Sequence, residues 1–294
     1  MNVIKSTLEF IKKIENADIE GVKNHIMTAE SNILFYPDRE GVIKKGTLIE
    51  VILDYIDTSF DDIDFGDMYS ITEVNKRIKA IPGILEKIKN KGFELKCENF
   101  CFGEKLVEKG LMNKDVIIIA EDSLFKKTSK IEKISLLTKI IEKNNSESIL
   151  NTCVERINNF DKDYSVLLFV AIKENLFIDN FECLLSNIPE IDINYHNKEY
   201  CDFSVFEFLC LNFGFKLWQK NNGYGTGNIN IDYLNDIYTK KRAVISPLFL
   251  KEKNYELLAP VAYFIKEKIA AEEKEEMNKA ISVSNDIDSL KRRL

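Results

Sequence analysis

Helix breakers are scarce in this chain. Five prolines and 12 glycines are spread over 294 residues, which excludes a loop-rich or all-β architecture. Long apolar runs are missing too. No stretch approaches the roughly 20 apolar residues that cross a bilayer, and the opening MNVIKSTLEFIKKIE lacks the apolar core of a signal peptide, so no membrane partner is expected. Positive charge is not in excess. Lys and Arg number 41 against 48 Asp and Glu, a net charge of -7, whereas a general nucleic-acid binder neutralises phosphates with a basic surface. Direct nucleic-acid contact is therefore not expected. Histidine occurs twice, as His25 and His196, which leaves little for metal or Ser–His and Cys–His chemistry.

What is present points to a helical core. Hydrophobic residues make up 45% of the chain and phenylalanine alone supplies 19, enough to build a globular interior. Six cysteines, at 97, 101, 153, 183, 201 and 210, read as free, mostly buried thiols of a reducing compartment, with cytoplasmic placement as the expectation. Apolar spacing predicts a helix over 2–14, an antiparallel partner from Asp18 to Met27, and an apolar helix from Thr47 to Ile56. Between the last two lies a turn or finger, Asn32 to Gly46. A basic helical stretch from Val74 to Asn90, interrupted at Pro82-Gly83, is expected to end at Gly92. Phe93 to Phe102 reads as extended. Asp115 to Asp122 is too short for periodicity to choose between buried helix and strand. Helices follow over 131–143 and 146–157. Further along, Phe213 to Lys220 completes a second helix after an apolar run at 203–210, Ile231 to Lys240 is helical, and Tyr255 to Lys268 belongs to a last pair. The organisation reads as 1–92, 93–145, 146–268 and a charged capping helix and tail at 269–294.

The stretch 161–210 repeats an order: polar turn, apolar run, second apolar stripe, extended segment. Asp161-Lys-Asp-Tyr164 precedes Val166-Leu167-Leu168-Phe169-x-Ala171. Leu184-Leu185 and Asp192-Ile193-Asn194 follow, and the order restarts at Ser204-Val205-Phe206-Glu207. Ser246-Pro247-Leu248-Phe249, Thr47-Leu48-Ile49-Glu50 and the joint Asn16 to Lys23 echo the same elements. The pattern resembles degenerate ankyrin repeats, turn–helix–helix units of about 33 residues. Tyr164 and Tyr200 stand where the family has its turn glycine, and steps of 38 and 42 residues separate Val166, Ser204 and Ser246. The resemblance implies a mostly α, irregular ankyrin-like solenoid with few or no strands, its turn fingers projecting to one side.

Chemistry is harder to place. The glycine loop at 223–227 lacks the preceding strand of a phosphate cradle. Cys97 and Cys101 are a C-x₃-C pair without a second close pair for zinc. Counted from Asp62, the calcium-loop pattern is only half met. No catalytic residue, cofactor or metal ligand is therefore assigned. The finger tips are the candidate partner-binding sites: Tyr36 and Arg39 on one, Asp161, Asp163 and Tyr164 on the next, Tyr195, His196, Lys198 and Tyr200 on a third. Tyrosine and arginine are side chains that interfaces favour. A second candidate surface is the acidic stretch with Asp57, Asp61, Asp62, Asp64 and Asp67, which carries no Lys or Arg and has aromatics between its carboxylates. Such a run docks on basic surfaces. The expectation is a non-catalytic protein–protein interaction protein, in its specific form an inhibitor or effector acting on a host protein. Two alternatives stand beside it. One is an acidic, nucleic-acid-mimicking blocker of a basic nucleic-acid-handling protein. The other is an enzyme whose pocket is formed by 95–145 and the 221–230 loop.

Overall fold

Helix α1 (Asn2–Glu15) and helix α2 (Ile19–Thr28) form where the apolar spacing places them. Asp18 caps α2, its carboxylate accepting the Gly21 N–H at 2.9 Å. This computed structural model describes residues 2–56, 58, 68–143, 147–174, 179–221, 231–246, 249, 261, 263–268, 270, 271, 273–275, 277, 278 and 281. The chain divides into two compact units: residues 1–160 with 178–189, and residues 161–177 with 190–294. Most of the described residues are helical, and among them no helix is long and apolar enough to cross a membrane.

In the first unit, α1 packs on α2 and on a two-stranded antiparallel hairpin, β1 (Ile33–Pro37) and β2 (Ile43–Thr47). The expected finger is thus a β-hairpin. Helix α3 (Leu48–Tyr55) follows without a linker. Helix α4 (Met68–Asn90) lies against α2. The sequence predicts a break at Pro82, yet α4 runs through it. Ile81, Ile84, Leu85 and Ile88 are buried and continue one apolar face across the proline; packing along that face outweighs the missing N–H. The segment 93–101 forms neither helix nor strand. The ambiguous run after it is helical: Asn113 caps α6 (Lys114–Ile119) by accepting the Val116 N–H at 3.0 Å, and a π-turn spans Asp122–Lys126. Helices α5 (Phe102–Glu108), α7 (Lys130–Glu142), α8 (Glu147–Val154) and α10 (Asp179–Asn187) complete the unit, with α7 against α5, α8 against α7 and α10 against α8.

The second unit holds α9 (Val166–Lys173), α11 (Val205–Asn221) and α12 (Ile231–Lys241), with helical residues also at 263–268. Helix α9 packs on α11. Two short helices are expected over 203–220, but one helix of 17 residues forms. The reason is a continuous buried stripe, Val205, Phe206, Leu209, Cys210 and Phe213, at steps of three and four residues.

One titratable side chain belongs to the α1–α2 contact. His25 stacks on Phe10, ring centroids 4.3 Å apart at 16°. Burial, then the nearby Lys13 charge, lowers its pKa from 6.5, with Glu9 opposing. The folded state therefore binds the His25 proton less readily than the unfolded chain does. Its contribution to stability is complete above pH 6.5 and is lost as pH falls below that value toward the lowered native pKa. Thermal unfolding midpoints should decline between pH 7.5 and 5.5. His25→Phe, which keeps the stack and removes the titration, should flatten that decline; an unchanged slope would assign it to other groups.

Candidate functional site

The hairpin tip is closed by Asp38, whose carboxylate accepts the N–H groups of Glu40 at 3.0 Å and Val42 at 2.9 Å. Gly41 follows with φ +85°, a left-handed conformation that glycine tolerates best. Lys44 pairs with Asp38 at 2.8 Å and holds its carboxyl below the usual range. On the inner face Tyr36 is fully buried, and its hydroxyl donates to Asp54 at 2.8 Å. Burial first, and the Asp54 bond second, raise the phenol so that it keeps its proton. Arg39 is exposed and reaches back, Nε donating to the Asp54 carbonyl at 3.1 Å.

Register and turn bonds place the main-chain polar groups of Phe35, Pro37, Ile43 and Lys45 on the hairpin's outer edges. Several of these groups are already used. Tyr55 donates to the Pro37 carbonyl at 2.5 Å, and the Asn99 amide donates to the Lys45 carbonyl at 3.0 Å. An edge blunted in this way is a poor template for strand addition. The outer face is different. Phe35 lies opposite Lys45 and Pro37 opposite Ile43, and Phe35 and Ile43 are 49% and 53% exposed; Val42, paired with Asp38 at the tip, is 56% exposed.

Below the hairpin, Thr47 and Glu50 form a reciprocal capping box at the start of α3. Glu50 is fully buried. One carboxylate oxygen accepts the Thr47 N–H at 2.7 Å, and the other accepts the N–H and side-chain amide of Asn99 at 2.8 and 2.9 Å. The Thr47 hydroxyl donates to the Lys96 carbonyl at 2.8 Å. One carboxylate thus fastens a helix start to a segment 49 residues further along. Gly46 permits this, because a Cβ there would lie 2.7 Å from Glu50 Oε2 and 2.9 Å from the Tyr36 ring.

The second unit repeats the device. Glu207, 2% exposed, accepts the Ser204 N–H at 2.9 Å, while Ser204 Oγ accepts the Glu207 N–H at 3.1 Å. The other oxygen of Glu207 accepts the Ser246 N–H at 2.8 Å, 39 residues on. Asn194 joins the same segments: its side-chain oxygen accepts the Val244 N–H at 2.8 Å and its amide donates to the Arg242 carbonyl at 3.2 Å. Between them the finger turns sharply. Asn197 caps a 3-10 turn at Lys198–Tyr200, and Cys201 and Asp202 are both left-handed at φ 59°. His196 Nδ1 lies 2.7 Å from the Asp202 carbonyl, which only accepts, so Nδ1 carries the proton.

The finger residues read from the sequence fall into three groups. Arg39, His196 and Lys198 are exposed. Tyr195, Tyr200, Asp161 and Asp163 are half-buried; Tyr200 stacks on Phe169 at 4.5 Å, and Asp161 accepts the Asp163 N–H at 3.0 Å as a cap. Tyr36 and Tyr164 are core residues, 0% and 1% exposed, so the structure places them beneath the fingers rather than on them. Asp57, Asp61, Asp62, Asp64 and Asp67 lie outside the described residues, as does the 222–230 loop. The sequence reading does not single out Phe35, Val42 and Ile43, nor Glu50 and Glu207. The signal for the carboxylates was available in the Thr47-x-x-Glu50 and Ser204-x-x-Glu207 spacing of a capping box.

Within 95–145 there is a cavity of about 120 Å³ lined in part by Cys97 and Cys101. Burial dominates in raising both thiols, and a protonated thiol is a weak nucleophile. Among the described residues no group of three or more His, Cys, Asp or Glu is placed to hold a metal. Compared with known proteins, the chain matches no family model, no curated relative and no solved structure.

Proposed function

We propose that this is a non-catalytic protein-binding protein, built from irregular ankyrin-like helical units, that docks through the outer face of its β-hairpin. The observation that carries the reading is two large apolar side chains, Phe35 and Ile43, held in solvent on one face of a hairpin whose other face is locked to the core through Tyr36, with Val42 exposed at the tip beside them. An element that displays an apolar patch beside the cationic Lys45 suits recognition better than packing. The two buried capping boxes support the repeat part of the reading. Both stand where the family resemblance puts the opening of a repeat's first helix, and both fasten that opening to a later segment.

Serine at Phe35, Val42 and Ile43 together should weaken capture of the native partner by at least about 100-fold, as expected when a cluster of anchors is lost. Because Tyr36 and Asp54 are untouched, the helical circular dichroism should stay as in the parent. Undiminished capture by the folded triple variant would move the docking surface elsewhere, to the exposed Arg39, His196 and Lys198 or to the acidic stretch 57–67.

A further inference from the structure

The cavity inside the first unit has a composition that the docking reading leaves unused. Its wall is hydrocarbon and sulfur: Leu95, Cys97, Phe100, Phe102, Leu124 and Leu136. Its rim is ionic. Lys127 pairs with Glu94 at 2.5 Å, and Glu132 accepts the Ser129 N–H at 2.7 Å. Lys96 stands close enough to both carboxylates that its charge helps hold them ionised. This is the arrangement of a small-molecule pocket, an apolar interior with few polar groups at the mouth.

Two features make the space part of the fold rather than a loose fit. The π-turn Asp122–Lys126 supplies Ser123 and Leu124 to the lining, and such widened turns recur at functional sites. Opposite it, Gly103 brings α5 hard against the wall, since a Cβ there would meet Leu124 Cδ2 at 3.0 Å and Leu136 Cδ1 at 3.1 Å. The volume of about 120 Å³ exceeds several-fold the roughly 10–15 Å³ that one water requires, and approaches the roughly 150 Å³ of apolar cavities that take up benzene or xenon.

We infer that this cavity is a binding pocket for a small molecule with one compact apolar body of benzene size, its polar end left at the rim formed by Glu94, Lys96, Lys127 and Glu132. The pocket selects by size. A single ring fits, and a fused bicyclic ring does not.

The probe is benzene, with naphthalene as the oversized control, titrated into the full chain carrying ¹³C-labelled leucine methyls. The methyl resonances of Leu124 and Leu136 should shift saturably with benzene at low-millimolar half-saturation, while those of the exposed Leu8 stay in place. Leu136→Phe and Cys101→Phe each fill the space, and each should weaken the response at least tenfold. A readout in the parent protein needs neither variant. Benzene should slow alkylation of Cys101 by iodoacetamide at least threefold and leave the exposed Cys201 unaffected. Absent or unsaturable shifts, equal response to naphthalene, or unprotected Cys101 would overturn the pocket. The docking proposal stands or falls separately, since none of its residues lines this cavity.

Discussion

Glu50→Ala is expected to destabilise the first unit by about 3–4 kcal/mol, near the top of what a single substitution does without opening a large cavity. The buried carboxylate accepts three N–H bonds, two of them from the backbone at Thr47 and Asn99. Alanine cannot remove those donors. They remain, the Thr47 amide in a buried site, and a donor left without a partner there costs about 1–3 kcal/mol. Glu50→Gln keeps the shape and one acceptor oxygen, so a smaller loss of about 1–2 kcal/mol is expected. Denaturant unfolding of the three proteins, with hydrogen exchange read at the Asn99 amide, checks both. An alanine variant within about 0.5 kcal/mol of the parent, the range of an ordinary surface change, would mean the joint carries no weight.

The equivalent loss in the second unit, Glu207→Ala, should cost about 3 kcal/mol. Here the orphaned donors are the amides of Ser204 and Ser246. The bond from the Glu207 amide to Ser204 Oγ survives the change, because it uses the backbone of residue 207. The helix start should therefore persist while the Ser246 end is released. Exchange protection should fall at Ser246 and be retained along Leu209, Cys210 and Phe213, whose side chains stay buried. Loss of protection throughout α11 would instead make Glu207 a requirement of the helix itself. Asn194 gives a comparison within the same unit: it joins the same two segments through Val244 and Arg242, but in a more exposed setting, where a lost hydrogen bond costs about 0.5–1.5 kcal/mol.

Helices were legible in the sequence where one apolar face repeats long enough to define a period. α1, α2 and α7 formed close to their expected bounds, and the cap at Asp18 bears out the local chemistry of a helix start. What local rules overstate is the power of a breaker. Pro82 sits in a helix because buried isoleucines on both sides hold it there. The expected break between Cys210 and Phe213 is likewise absent from α11, because the buried stripe from Val205 to Phe213 runs across it. Among the site residues, the tyrosines were the hardest to place. Tyr36 and Tyr164 carry a hydroxyl and sit next to polar turns, so sequence position suggests exposure; a single hydrogen bond to Asp54 is enough to bury Tyr36. The exposed face of the hairpin escaped notice for the opposite reason. Phe35 and Ile43 are core-type residues, and only the alternation of a strand, visible once the register is known, turns them outward. The buried carboxylates show a third limit. A capping box can be read from spacing, but its link to Asn99 or Ser246 depends on a fold that brings distant segments together.

Placing a photo-crosslinking amino acid at Ile43, and separately at the exposed Lys114, then irradiating cells that carry the native partner, tests the hairpin assignment most directly. The account predicts one discrete covalent adduct from position 43 and none from position 114. An adduct from Lys114 with none from Ile43 would contradict it.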